Sequence, residues 1–291
     1  MKNALVLRGL PLLLSAFAFS SCAIAEPLDF NKPTSEPSSS KEPTPSNISS
    51  EEEPVHKEVL FVGNSFTYFN DCDQVVQSIG RDLGLDISCS AVTEGAQHLI
   101  DTASSSDPVG KRLDEALKKK YTHIVLQEHS TTPVTNYGNF LSGVKQILTK
   151  IEATQDKPKV YLYATWSYES FANSRNLSIP ESELLLRNAY HDVATATNTM
   201  VSDVGKAFSY VYSNYPSINL YHTDSKHPCF TGTYLSAAVQ AATMFGLDVR
   251  KTTFLGSGAE QGNGTKTKQS VEEATAVTLR EVAYKTAHSL I

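Results

Sequence analysis

The sequence predicts an α/β layer fold with a mostly parallel sheet, and three observations point to it. Short apolar runs of strand length alternate along the chain with longer stretches of helical periodicity. The composition, 40% hydrophobic and 19% charged over 291 residues, supplies a sizeable buried core and excludes disorder of the chain as a whole. The alternation starts at Glu58 and shows no internal repeat, which predicts one layered domain over 58–291.

The first strand is the apolar run Val59-Leu60-Phe61-Val62, ending at Gly63. A helix follows near 73–83, with Val75, Val76, Ile79 and Leu83 on one side and Gly84 as its stop. A second strand fits 86–92, and a helix with a basic C-terminal end fits 109–119. The third strand is 122–126 and the third helix 140–151. A fourth strand is expected at 159–165, then a helix over 181–197 carrying Leu184, Leu185, Asn188 and His191. A weak fifth strand lies at 200–202. A small-residue helix at 231–245 would have Thr231 as N-cap and Gly246 as stop. A closing helix spans 271–290.

The amino terminus reads as an address. Residues 1–25 have the build of an export signal, with Lys2 and Arg8 ahead of an uncharged run from Gly9 to Phe19 that is short for a membrane span. Phe19-Ser20-Ser21-Cys22 resembles the lipobox of bacterial lipoproteins, with Phe19 departing from its usual aliphatic residue. Cys22 would then carry the lipid; ordinary cleavage after Ala23-Ile24-Ala25 is the other reading. Residues 26–57 hold six Pro, seven Ser and seven acids, a composition expected of a disordered, solvated linker. The expected location is the bacterial cell envelope, membrane-anchored through Cys22, or otherwise periplasmic or secreted.

With 25 basic and 31 acidic residues the formal charge is −6, which argues against a nucleic-acid partner. Four cysteines are too few for a disulfide scaffold; with Cys22 lipidated, Cys72, Cys89 and Cys229 could form at most one bridge. No phosphate-binding glycine pattern follows a strand, and Gly205-Lys206 lacks the upstream glycine of a P-loop.

In parallel sheets, ligands bind beyond the carboxyl ends of the strands. There the sequence places Gly63-Asn64-Ser65, a serine just past a buried strand where it can stand exposed as a nucleophile. Far along the chain comes Asp224-Ser225-Lys226-His227-Pro228, in which the carboxylate is spaced to reach the imidazole and fix its tautomer. Each motif alone is an ordinary polar turn. Together they resemble the SGNH (GDSL-like) hydrolases, in which a G-D/N-S serine follows the first strand and D-x-x-H precedes the last helices.

That resemblance implies a three-layer, flavodoxin-like sandwich and a serine esterase with Ser65, His227 and Asp224 as its triad. It implies an oxyanion hole of the Ser65 and Gly95 backbone N–H groups, with Gln127 in place of the asparagine of the family's G-x-N-D block, which here reads Leu126-Gln127-Glu128-His129-Ser130. Glu128 or His129 is the alternative residue facing the site. Together with Thr165-Trp166-Ser167-Tyr168, the pattern looks most like a poorly characterised bacterial branch. The implied substrate is a small ester or an acetylated carbohydrate, with Asn64, Trp166 and Glu128 as expected contacts. No cofactor and no metal is required. Two rivals remain: a metal hydrolase using His222, Asp224 and His227, and a non-catalytic glycan-binding lipoprotein on a decayed hydrolase fold.

Overall fold

A computed structural model describes residues 55–256 and 269–291. The expected export signal, Cys22 and the linker up to residue 54 lie outside the described residues. The first strand opens at Lys57, one residue before Glu58.

In chain order the elements are β1 (Lys57–Gly63), the single-turn α1 (Ser65–Tyr68), α2 (Cys72–Asp82), β2 (Ile87–Thr93), the short α3 (Leu99–Thr102) and α4 (Pro108–Ala116). Next come β3 (His123–Leu126), the short α5 (Thr132–Thr135), α6 (Tyr137–Thr154), β4 (Lys159–Tyr163), the short α7 (Glu169–Asn173) and α8 (Ile179–Thr197). The chain closes with β5 (Met200–Ser202), α9 (Val204–Asn214), α10 (Phe230–Phe245) and α11 (Glu273–Ala287). All strand pairs are parallel, in the order β2-β1-β3-β4-β5. This is the flavodoxin-like order, and the direction in which successive strands are added to the sheet reverses between β1 and β3.

Successive strand residues point to opposite faces, and each face is covered by helices, which is why the central strands β1, β3 and β4 carry apolar runs such as Val59-Leu60-Phe61-Val62. Val59 and Phe61 of β1 enter one core with Val125, Tyr161 and Tyr163, packed by α2, α9, α10 and α11. Leu60 and Val62 enter the other with Ile124, Leu126, Val160 and Leu162, packed by α4, α6 and α8. The outcome is a three-layer sandwich.

Local chemistry fixes the helix ends. The Asp107 carboxylate accepts from the N–H of Val109 at 2.8 Å, with Pro108 in the first turn of α4. Ser178 and Glu181 form a capping box on α8. Two features add to the sequence reading and one expectation, the cap of α10, needs correction. α9 was not foreseen. Leu184 and Leu185 lie on the outer side of α8, 43% and 38% exposed, because Leu186, Tyr190 and Val193 are the residues that meet the cores. α10 starts at Phe230 with Cys229 at its cap position, not at Thr231, and no side chain caps it. Gly246 does stop it, at φ +65°. Cys72, Cys89 and Cys229 are all free thiols.

Candidate active site

The carboxyl end of β1 delivers the serine. Asn64 is extended and caps α1, its Oδ1 accepting from the N–H of Phe66 at 3.1 Å, so Ser65 is the first residue of the turn. Gly63 leaves room for this packing: a Cβ would stand 2.5 Å from Gln127 Oε1 and 2.7 Å from Thr67 Oγ1, so those side chains would have to shift. Those same atoms hold the turn, since Gln127 Oε1 accepts from Asn64 N at 2.8 Å and from Thr67 Oγ1 at 2.9 Å.

The histidine arrives on a tight loop between α9 and α10. Tyr221 and Pro228 form an antiparallel bridge, His222 N–H donates to His227 O at 2.8 Å, and Ser225 turns the chain at φ +57°. Distant residues anchor this loop. Trp166 Nε1 donates to Lys226 O at 3.0 Å and the Tyr221 hydroxyl to Ser167 O at 2.8 Å. Asn70, held at φ +55°, donates its amide to Pro228 O at 3.1 Å and to Thr233 Oγ1 at 2.9 Å. Asparagine tolerates that backbone region better than most residues. Asn70 therefore pins the segment after the serine to the segment after the histidine.

Ser65, His227 and Asp224 meet in one hydrogen-bonded chain. Ser65 Oγ is 2.8 Å from His227 Nε2, and His227 Nδ1 is 2.5 Å from Asp224 Oδ2. With the Nδ1 proton directed at the carboxylate, Nε2 is the acceptor for the serine hydroxyl. Asp224 Oδ1 accepts from the N–H groups of Lys226 at 3.0 Å and His227 at 2.9 Å. Burial pushes its carboxyl upward, but the His227 ring and these two N–H donors outweigh it and hold it at about 2. The imidazole lies flat on Phe69, ring centroids 4.3 Å apart, with Phe66 edge-on at 5.5 Å. These contacts leave the ring little freedom to turn.

Ser65 and His227 open into a cleft of about 400 Å³, whose walls include Gly95, Ala96, Tyr68, His129, Ser130 and Lys226. The N–H of Ser65 has no acceptor among the described residues. The N–H of Gly95 reaches only the Glu94 carboxylate, at 3.3 Å. Gly95 lines the cleft beside Ser65 and His227.

Of four other expected residues, three lie away from the cleft and Asn64 lies on its wall with its side chain engaged. Gln127 is buried behind the serine turn; its carbonyl oxygen supports Asn64 and Thr67 and its amide donates to Glu128 O, so it does not offer that amide to the cleft. Asn64 touches the cleft, but both ends of its side chain are engaged, the amide donating to Gln97 O at 3.0 Å. It is a strut between the serine turn and the Gly95 loop. Trp166 is fully buried, stacked between Phe66 and Phe208 at 4.5 and 4.2 Å, and cannot meet a substrate. Glu128 is also fully buried, accepting from His129 N at 2.6 Å and lying 3.4 Å from His98 Nδ1. Of the alternatives Glu128 and His129, the histidine lines the cleft. Burial, then the nearby charges of His98 and Lys226, push its imidazole down to about 4, so it is neutral near pH 7.

The metal-site rival loses its geometry. Both nitrogens of His227 are engaged, His222 Nδ1 pairs with Thr223 Oγ1 at 3.2 Å, and among the described residues no three His, Cys, Asp or Glu side chains converge on a point a metal could occupy.

Phe69, Asn70 and Lys226 were not foreseen as parts of the site. Lys226 stands inside the D-x-x-H motif, but nothing in the spacing says which way its chain turns. The left-handed Asn70 follows an aromatic pair with no local signal of the loop it anchors.

No protein-family model and no curated protein matches the chain. Among solved structures it is similar to a candidate SGNH hydrolase from Slackia heliotrinireducens, with 22% identity and a TM-score of 0.57 over 65% of this chain and 100% of that one. It is also similar to a DUF4886 family protein from Bacteroides uniformis, with 14% identity and a TM-score of 0.65 over 79% of this chain and 94% of that one. At the level of fold, the chain is an α/β sandwich of the SGNH-hydrolase type.

Proposed function

We propose that the chain is a serine esterase that removes small acyl groups, acetyl above all, from an alcohol of carbohydrate type. The observation that carries this reading is the continuous chain from Ser65 Oγ through His227 to Asp224 at the mouth of an open cleft. Ser65 Oγ attacks the ester carbonyl as its proton passes to His227 Nε2, and Asp224 stabilises the imidazolium. The oxyanion is received by the N–H groups of Ser65 and Gly95, the latter exchanging its long bond to Glu94. Preorganised donors of this kind are worth about 3–4 kcal/mol each. His227 returns the proton to the leaving alcohol. Water, deprotonated by the same ring, then releases the acid and restores Ser65.

The small cleft supports a short acyl group. A polar hollow of about 670 Å³ on the same loop, lined by Asn173, Tyr212, Asn219, His222 and Thr223 among others, supports a hydroxylated alcohol half. On the sequence expectation of export, the site would work at the bacterial cell envelope. In an assay with a short-chain aryl acetate, Ser65→Ala should lower kcat by at least about 10³-fold. Undiminished turnover in that variant rejects the proposal.

One observation favours a second reading, a glycan-binding protein without turnover: the Gln127 amide is turned away from the cleft, leaving the oxyanion only backbone donors. That reading predicts glycan binding that Ser65→Ala leaves intact, and no ester cleavage by the wild type.

A further inference from the structure

Among the described residues, Lys226 is the one lysine or arginine on the wall of the cleft, and no carboxylate lines it. This is unexpected in a chain of formal charge −6. Among the described residues the Lys226 ammonium meets no acid. It rests over the rings of Tyr168 and Phe66, 5.5 and 5.9 Å from their centroids. The acids of the surrounding segments are committed elsewhere: Glu94 to Arg112 at 2.9 Å, Glu128 to His98 at 3.4 Å, and Asp224 to His227 at 2.5 Å. Glu169 faces the neighbouring hollow.

Lys226 is half-buried, its ammonium held against aromatic rings and paired with no acid among the described residues, so its charge is left available to a bound anion. The rings also restrict where the ammonium can point, which prepares it for a ligand. We propose that Lys226 selects esters bearing an anionic group, a carboxylate close to the scissile bond, over neutral esters of the same size. This rests on the serine-esterase reading and adds the substrate class. The carboxylate could belong to the alcohol half, as in an O-acetylated acidic sugar, or to the acyl half, as in a half-ester of a dicarboxylic acid. Both present the same charge to Lys226.

Two matched pairs separate these sources: O-acetylated glucuronic acid against O-acetylated glucose, and an aryl hemiglutarate against the aryl pentanoate, each corrected for the rate with Ser65→Ala. The wild type should prefer the anionic member of one pair by about tenfold in kcat/KM, a preference that weakens as salt is raised. Lys226→Met should bring that ratio close to one, and Lys226→Arg should keep most of it. Ratios near one for both pairs in the wild type overturn the inference, as does a preference that survives in Lys226→Met; either result leaves the serine mechanism standing. Failure of the wild type to cleave any of the four esters overturns both.

Discussion

Asp224 does two tasks with two oxygens. Oδ1 caps its own loop through the N–H groups of Lys226 and His227, and Oδ2 receives the imidazole proton. Asn at this position could keep the loop bonds through its carbonyl oxygen but would turn an amide N–H toward Nδ1. That favours the tautomer in which Nε2 is protonated and can no longer accept from Ser65. Asp224→Asn should therefore fold normally by circular dichroism while kcat for an aryl acetate drops by about 10³–10⁴-fold. A drop of less than tenfold would assign the carboxylate a purely structural role. This pair was legible in the sequence because its spacing within one loop constrains the geometry. Gln127 and Trp166 were not: whether a side chain at a strand end turns to the cleft or the interior depends on partners distant in sequence. For Gln127 those partners are Asn64 and Thr67, and for Trp166 they are Phe66 and Phe208.

Between elements, the stack Phe208–Trp166–Phe66 joins α9 to the serine turn, and Phe66 in turn touches the His227 ring. Replacing the fully buried Trp166 by Ala would remove both stacking faces and the bond to Lys226 O. Trp166→Ala should cost about 3–5 kcal/mol in denaturant unfolding. Its kcat should fall as well, although Trp166 touches no substrate. A loss below about 1 kcal/mol would mean the stack is dispensable. The strands were readable because both faces of the sheet are covered, which leaves runs such as Val59-Leu60-Phe61-Val62 in the sequence. α9 was not foreseen although Val204, Ala207, Phe208 and Val211 have helical spacing, with Gly205 at its start. That glycine serves packing: a Cβ would lie 2.4 Å from Thr165 O, so only Gly lets α9 approach the end of β4.

For the whole molecule, stability should depend on pH through opposed carboxylates. Burial pushes Glu183 from its ordinary 4.5 to about 7; Arg187, Lys206 and His191 pull against this and Asp203 adds to it. A carboxyl raised on folding disfavours the native state once ionised, so this group erodes stability as pH rises from about 4.5 to about 7. Asp224 acts oppositely at the acid end, favouring the fold above 3.8 and losing that contribution as pH falls toward about 2. Glu183→Gln should flatten the curve between these upper limits and raise stability at pH 8 by about 1–3 kcal/mol. An unchanged curve would show that Glu183 ionises freely in the native protein. The α/β layering with a mostly parallel sheet was legible from alternation, whereas which residues of α8 face inward was not, since its outer side carries Leu184 and Leu185 as apolar as the buried ones. The account as a whole stands on an activated hydroxyl at Ser65. Its most direct test is to treat the folded protein with a fluorophosphonate and locate the adduct by peptide mass spectrometry. One phosphonyl group on Ser65, absent in Ser65→Ala and much slowed in His227→Gln, is the predicted result; a wild type that stays unlabelled, or is labelled at another residue, contradicts it.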